Sequence, residues 1–174
     1  ITFAVCAAFA APFLNIIGSE TCGFHFVGPS GRGKSIAAKV ASSVCGNPEE
    51  YKKSWRTTDN ALEGIAAEHN DILLVLDEIG EINAAIAGEA VYMIGNGQGK
   101  TRSQETGAAS KIKHRWRLVL LSSGELTLAE HMGEAKKKPK AGMEARLLSI
   151  PAVPHKDTAT AEHLGIHETS KGFA

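Results

Sequence analysis

Residues 28–35 read Gly-Pro-Ser-Gly-Arg-Gly-Lys-Ser, and few strings of this length restrict a fold as strongly. Glycines at 28, 31 and 33 let the backbone curl until successive N–H groups point at one centre. The run before them, Gly23-Phe24-His25-Phe26-Val27, is short and apolar and ends at the glycine loop, which predicts a buried strand. The run after them, Lys34 to Cys45, carries Ile36, Val40 and Val44 at intervals of four and stops at Gly46-Asn47-Pro48, which predicts a helix. Strand, glycine loop and helix together are the context in which this pattern binds a nucleoside triphosphate. Gly28, Pro29, Ser30, Gly31, Arg32, Gly33, Lys34 and Ser35 are then the loop around the phosphates, with the helix N-terminus facing them. Lys34 is expected to reach the β- and γ-phosphates and the Ser35 hydroxyl to bind Mg²⁺, so ATP and Mg²⁺ are the expected cofactors.

Further along, Asp71-Ile72-Leu73-Leu74-Val75-Leu76-Asp77 is continuously apolar rather than alternating, as a strand covered on both faces requires. Trp116 to Leu121 and Leu147 to Ile150 read as further strands. Helices are expected from the Thr58-Asp59-Asn60 capping run to His69, over Ala84–Ile94 and over Leu126–Met132. Tyr51 to Trp55 reads as a loop leading into a short strand. Strands that alternate with helices predict an α/β three-layer sandwich around a mostly parallel sheet.

Within that frame, two carboxylates end the Asp71–Asp77 strand, where open parallel sheets bind ligands. Asp77 is expected in the Mg²⁺ shell, and Glu78 is expected to orient and activate the attacking water. Ser122 and Ser123 end the Trp116 strand and are expected near the γ-phosphate and that water. An acid beside the Mg²⁺ ligand suits hydrolysis better than transfer to a specific acceptor, so a small-molecule kinase is disfavoured.

Lys+Arg and Asp+Glu balance at 19 each, so any nucleic-acid surface has to be local. Lys136 to Lys140 reads as a solvated loop. His155, His163 and His167 show no metal-ligand pattern. Gly95-x-Gly-x-Gly follows a helix rather than a strand, which argues against a dinucleotide site. The three cysteines, Cys6, Cys22 and Cys45, have no metal-ligand spacing and read as small buried apolar residues in a reducing, cytoplasmic setting. Ile1 to Ile17 is apolar but lacks a basic leader, holds Pro12 and Asn15, and falls short of the ~20 residues a membrane span needs. It is read as a buried helix packed on the sheet, with no membrane association. The expected organisation is an N-terminal apolar helix over 1–22, an ATPase core over 23–151 and a truncated linker over 152–174. The sequence is read as part of a longer protein whose helical lid is missing.

The order phosphate loop, Asp-Glu strand, polar strand end and arginine before the last strand resembles the AAA+ ATPases. Trp55-Arg56-Thr57-Thr58-Asp59-Asn60-Ala61-Leu62-Glu63, Leu76-Asp77-Glu78-Ile79-Gly80, Gly95 to Arg102, Trp116-Arg117 and Ser122-Ser123-Gly124-Glu125 resemble domain-of-unknown-function family 927. Those are helicase-like AAA+ proteins similar to the minichromosome-maintenance and superfamily 3 helicases. The resemblance covers roughly Phe3 to Pro151. It implies ATP-driven translocation on DNA by a homo-hexameric ring, with Arg146 reaching into the neighbouring subunit's site. It also implies a pore hairpin before Trp116, where Lys100, Arg102, Lys111 and Lys113 would track the backbone of single-stranded DNA. The alternative is a nucleotide-switched ATPase that loads or regulates a partner without unwinding.

Overall fold

The computed structural model of the chain describes residues 1–99 and 114–152. The chain opens with helices α1 (Thr2–Ala10) and α2 (Phe13–Ile16), then strand β1 (Cys22–Val27) and helices α3 (Lys34–Ser42) and α4 (Pro48–Tyr51). Strand β2 (Lys53–Ser54), helix α5 (Asp59–Glu68) and strand β3 (Leu73–Asp77) follow. A 3-10 turn (Ile79–Glu81) leads into α6 (Ala84–Gly95), and β4 (Val119–Gly124), α7 (Leu128–Glu134), α8 (Ala141–Glu144) and β5 (Leu148–Pro151) complete the core. The sheet runs β2-β3-β4-β1-β5, and every pairing between these strands is parallel. This is the three-layer α/β sandwich that the phosphate loop demands.

The apolar runs are continuous because each strand divides its side chains between two layers. Leu73 and Val75 of β3, with Val119 and Leu121 of β4, pack with Ala37, Ala38 and Ala41 of α3 and Ala4, Ala7 and Ala8 of α1. Leu74, Leu76, Leu118 and Leu120 pack on the other side with residues of α5, α6 and α7. Strand residues alternate faces, so neighbours in sequence belong to different layers.

Local chemistry sets the helix starts. Thr58 accepts a hydrogen bond from the Ala61 N–H and begins α5; Asn83 does the same for Ala85 and begins α6. A reciprocal Thr127–Glu130 capping box begins α7 two residues later than the apolar pattern alone suggests. The strand expected from Trp116 instead runs from Val119 through Ser122, Ser123 and Gly124, because the N–H groups of Trp116, Arg117 and Leu118 donate to the Gly97 carbonyl and to the Asn70 and Thr21 side chains rather than to a neighbouring strand. Helix α8 was not expected from the sequence.

Two expectations are corrected. The N-terminal run is two helices rather than one, parted at Ala11–Pro12, and it is not wholly buried. Its alanines give α1 a flat face that packs on α3, while Phe9, Phe13, Ile16 and Ile17 stay exposed. Cys6 and Cys45 are exposed and Cys22 is only half-buried, because the layer beneath them is filled by alanines and strand residues. Among the described residues no helix is long and apolar enough to cross a membrane.

A closed polar network crosses the α5–α6 side of the sheet. His25 Nε2 lies 2.9 Å from the Leu126 carbonyl, which can only accept, so that nitrogen carries the proton. His25 Nδ1 then accepts from the Ser122 hydroxyl at 3.0 Å, and Ser122 in turn accepts from the Trp55 indole N–H at 2.9 Å. Burial lowers the proton affinity of His25, the Leu126 contact opposes that, and the nearby Lys34 charge adds to it. All three side chains are buried, so each needs its partner. Ser122→Ala leaves the indole N–H and the imidazole unpaired and is expected to lower the unfolding free energy by about 1–3 kcal/mol in denaturant titration. A change within ~0.5 kcal/mol, as for an ordinary surface substitution, would contradict the network's structural role.

Candidate nucleotide site

The phosphate loop leaves the C-terminal end of β1 and runs straight into α3. Gly31 (φ 76°) and Gly33 (φ 79°) take left-handed conformations that a side chain would strain, and Gly33 is the residue that starts the helix. A glycine there brings no capping side chain, so the first N–H groups of α3 remain donors for an anion. Lys34 is buried beneath the loop and donates to the Gly28 carbonyl at 2.7 Å and the Pro29 carbonyl at 2.9 Å. Its ammonium is thereby held inside the curl, while Pro29, Ser30 and Gly31 lie exposed along the rim.

The alternation of β3 decides where Asp77 goes. It shares a face with Leu73 and Val75, so its carboxylate lies beside α3 and the loop. The Ser35 hydroxyl is 3.5 Å from Asp77 Oδ1, the Ser123 hydroxyl donates to the same oxygen, and the Lys52 ammonium pairs with Oδ2. Burial pushes the Asp77 carboxyl up, but the bonds from Lys52 and Ser123, the Lys52 charge and Ser35 outweigh it and leave the group below its ordinary value. A hydroxyl and an ionised carboxylate converging beside the loop are hard oxygen donors of the kind Mg²⁺ takes, so Ser35 and Asp77 fit that ion.

Glu78 follows with a left-handed backbone (φ 59°, ψ 81°), an uncommon conformation for a residue with a side chain and one that collects at functional sites. Its N–H donates to Ser123 Oγ at 3.2 Å. One serine hydroxyl therefore ties both acids to β4, donating to Asp77 and accepting from Glu78. The Glu78 side chain lines a 440 Å³ cavity with Gly80, Glu81, Glu125, Leu126, His131 and Glu134.

The structure separates the two serines that the sequence reading placed together. Ser123 shares the Val119–Leu121 face and reaches Asp77; Ser122 shares the Leu118–Leu120 face and is committed to His25 and Trp55. The assignment of Ser122 to the phosphate site is therefore corrected, because consecutive strand residues point to opposite layers. Lys52 was missed. It lies in the stretch that reads as a loop leading into a short strand, and only the pairing of Ser54 with Asp77 in the β2–β3 register brings it to the site.

Arg146 lies at the opposite edge of the sheet, next to the start of β1: a Cβ on Gly23 would sit 2.4 Å from its carbonyl oxygen. The six residues of β1 span ~20 Å, so Arg146 and the phosphate loop of one chain are a strand's length apart. Its guanidinium donates to the Gly142 carbonyl at 2.7 Å and stacks 4.5 Å above the Tyr92 ring centre. Its stem crosses Gly95, where a Cβ would lie only 2.6 Å from Arg146 Cδ. It lines an 850 Å³ polar cavity with Arg115, Arg117, Glu20 and Asp71 among others. Lys100, Arg102, Lys111 and Lys113 lie outside the described residues, as do His155, His163 and His167.

A solved structure of an active helicase, SCCmec type IV Cch, is similar to this chain, with 26% identity and a TM-score of 0.63; the match covers 85% of this chain and 26% of that one. NtrX from Brucella abortus, solved in complex with ATP, matches with 14% identity and a TM-score of 0.50, over 86% of this chain and 36% of its own, a likeness of fold alone. The chain thus spans about a quarter to a third of these proteins. No curated protein matches it. The family described as domain of unknown function DUF927 matches residues 1–114 of the 174, and the chain belongs to that family.

Proposed function

We propose that this chain is the ATP-hydrolysing motor domain of a DNA helicase or translocase that works as a homo-hexameric ring. The observation that carries the reading is the meeting of Ser35, Asp77 and Ser123 at the C-terminal edge of a parallel sheet, with Glu78 tied to the same serine and Lys34 held inside the adjoining glycine loop. The 26% identity to an active helicase over 85% of the chain supports the choice of motor over other nucleotide enzymes.

The loop N–H groups and the α3 N-terminus bind the phosphates. Lys34 exchanges its loop carbonyls for phosphate oxygens. Ser35 and Asp77 would hold Mg²⁺, which would supply positive charge at the phosphates. Glu78 orients the attacking water, its backbone held by Ser123. Arg146, a strand's length from its own loop, serves the site of the next subunit, where a guanidinium stabilises transition-state charge. The basic residues Lys100, Arg102, Lys111 and Lys113 contact the DNA backbone.

Lys34→Ala is expected to weaken ATP binding about 10- to 100-fold in equilibrium titration, the equivalent of ~1.5–3 kcal/mol of charged hydrogen bonds. Glu78→Gln is expected to keep binding and to lower turnover by about 10²–10⁴; normal turnover in that variant would remove Glu78 from the role of base. Arg146→Ala and Glu78→Gln subunits, each inactive alone, should recover turnover when mixed, because some sites then combine an intact Glu78 with a neighbour's Arg146. A mixture that recovers nothing would rule out the shared site. Reversing the charges of Lys111 and Lys113 should abolish the stimulation of turnover by single-stranded DNA and spare the basal rate. Strand displacement by the full-length protein separates a motor from a nucleotide-switched loader: DNA-stimulated turnover without unwinding would favour the loader.

A further inference from the structure

Lys52 is the cation that the nucleotide reading leaves without a task. It sits between α4 and β2, and in the β2–β3 register Ser54 lies beside Asp77, so Lys52, two residues earlier, is on the same face of the sheet. Its neighbours are otherwise engaged: Lys39 pairs with Glu49 at 2.6 Å and Lys53 donates to the Glu50 carbonyl at 2.8 Å. Lys52 instead sends its ammonium to Asp77 Oδ2, and the pair is well shielded, with side-chain exposures of 22% and 15%. Ser35 and Ser123 occupy Oδ1. Both oxygens of the carboxylate therefore already have donors from the protein.

We propose that Lys52 is a positioning residue of the nucleotide site: an internal counter-ion at Asp77 that makes divalent-cation binding conditional on the nucleotide. A bare divalent cation approaching Asp77 has to displace an ammonium from a partly buried pair and gains little to offset that loss. A cation arriving with a triphosphate gains the phosphate oxygens as well, and the displaced ammonium, whose carboxylate partner lies 3.5 Å from Ser35 at the end of the loop, can turn to the anionic phosphate. Two arrangements of one lysine thus couple cation binding to nucleotide binding.

This inference rests on the nucleotide reading of the loop, and the test keeps the two apart. Mn²⁺ binding is followed by electron paramagnetic resonance without nucleotide, and the Mg²⁺ dependence of binding a fluorescent ATP analogue is measured in parallel. Lys52→Met keeps the stem and removes the charge; it should gain nucleotide-free Mn²⁺ binding, and Asp77→Asn added to it should abolish that gain. The nucleotide-free Mn²⁺ affinity should rise at least about fivefold, the most that an exposed ion pair contributes and so a floor for this shielded one; the Mg²⁺ concentration that half-saturates analogue binding should change less, because with nucleotide present the phosphate takes up the displaced ammonium. Lys52→Arg should behave as the wild type. Lys52→Gln should match Lys52→Met, and thermal melting confirms that each variant is folded. Equal Mn²⁺ binding and equal Mg²⁺ dependence in Lys52→Met and wild type would overturn the role of Lys52. If the wild type fails to bind the analogue at any Mg²⁺ concentration, the nucleotide reading falls, and the Mn²⁺ measurement still decides whether Lys52 guards Asp77.

Discussion

The central sheet is covered on both sides, and each strand residue must belong to one layer or the other. That constraint reaches beyond the core. The face that buries Leu73 and Val75 beside α3 also delivers Asp77 to the phosphate loop, and the face that buries Val119 and Leu121 delivers Ser123 to Asp77. The opposite face carries Leu118 and Leu120 and, by the same alternation, turns Ser122 toward Trp55 and His25. Packing and site geometry are therefore one arrangement: a one-residue slip of β4 would exchange the two serines and undo both.

The two polar clusters that result are built differently. The Leu126–His25–Ser122–Trp55 chain is buried and closed, each donor matched to an acceptor, and it joins β1, β4 and the end of β2 across the core. Such a network stabilises the fold when complete and is costly when broken. The Asp77 cluster lies at the sheet's edge and carries charge: a carboxylate with an ammonium, two hydroxyls and a left-handed glutamate beside it.

A parallel sheet also separates its two edges. The phosphate loop and both acids stand where the strands end, and Arg146, Arg115 and Arg117 stand where they begin. The Arg146 side chain rests on Tyr92 and across Gly95.

The loop at Gly28–Ser35, the acids at the end of an apolar strand and the alternation of strands with helices were all legible in the amino-acid sequence. Each depends on local rules: glycine's access to left-handed backbone, the continuous apolar run of a doubly covered strand, and the residue types that start and stop helices. Thr58 as a helix cap is a case in point. Ser122 and Ser123 mark the limit. Their place at the strand end was visible, but which of them faces the phosphate side depends on which layer Leu121 enters, and the packing of α1 and α3 decides that. Lys52 was hidden for a similar reason, since its partner lies on another strand and only the β2–β3 register brings them together. The sequence by itself determined the chemistry available at the strand ends; the tertiary structure decided which side chains share it, because facing and register are properties of neighbouring strands and not of any one segment.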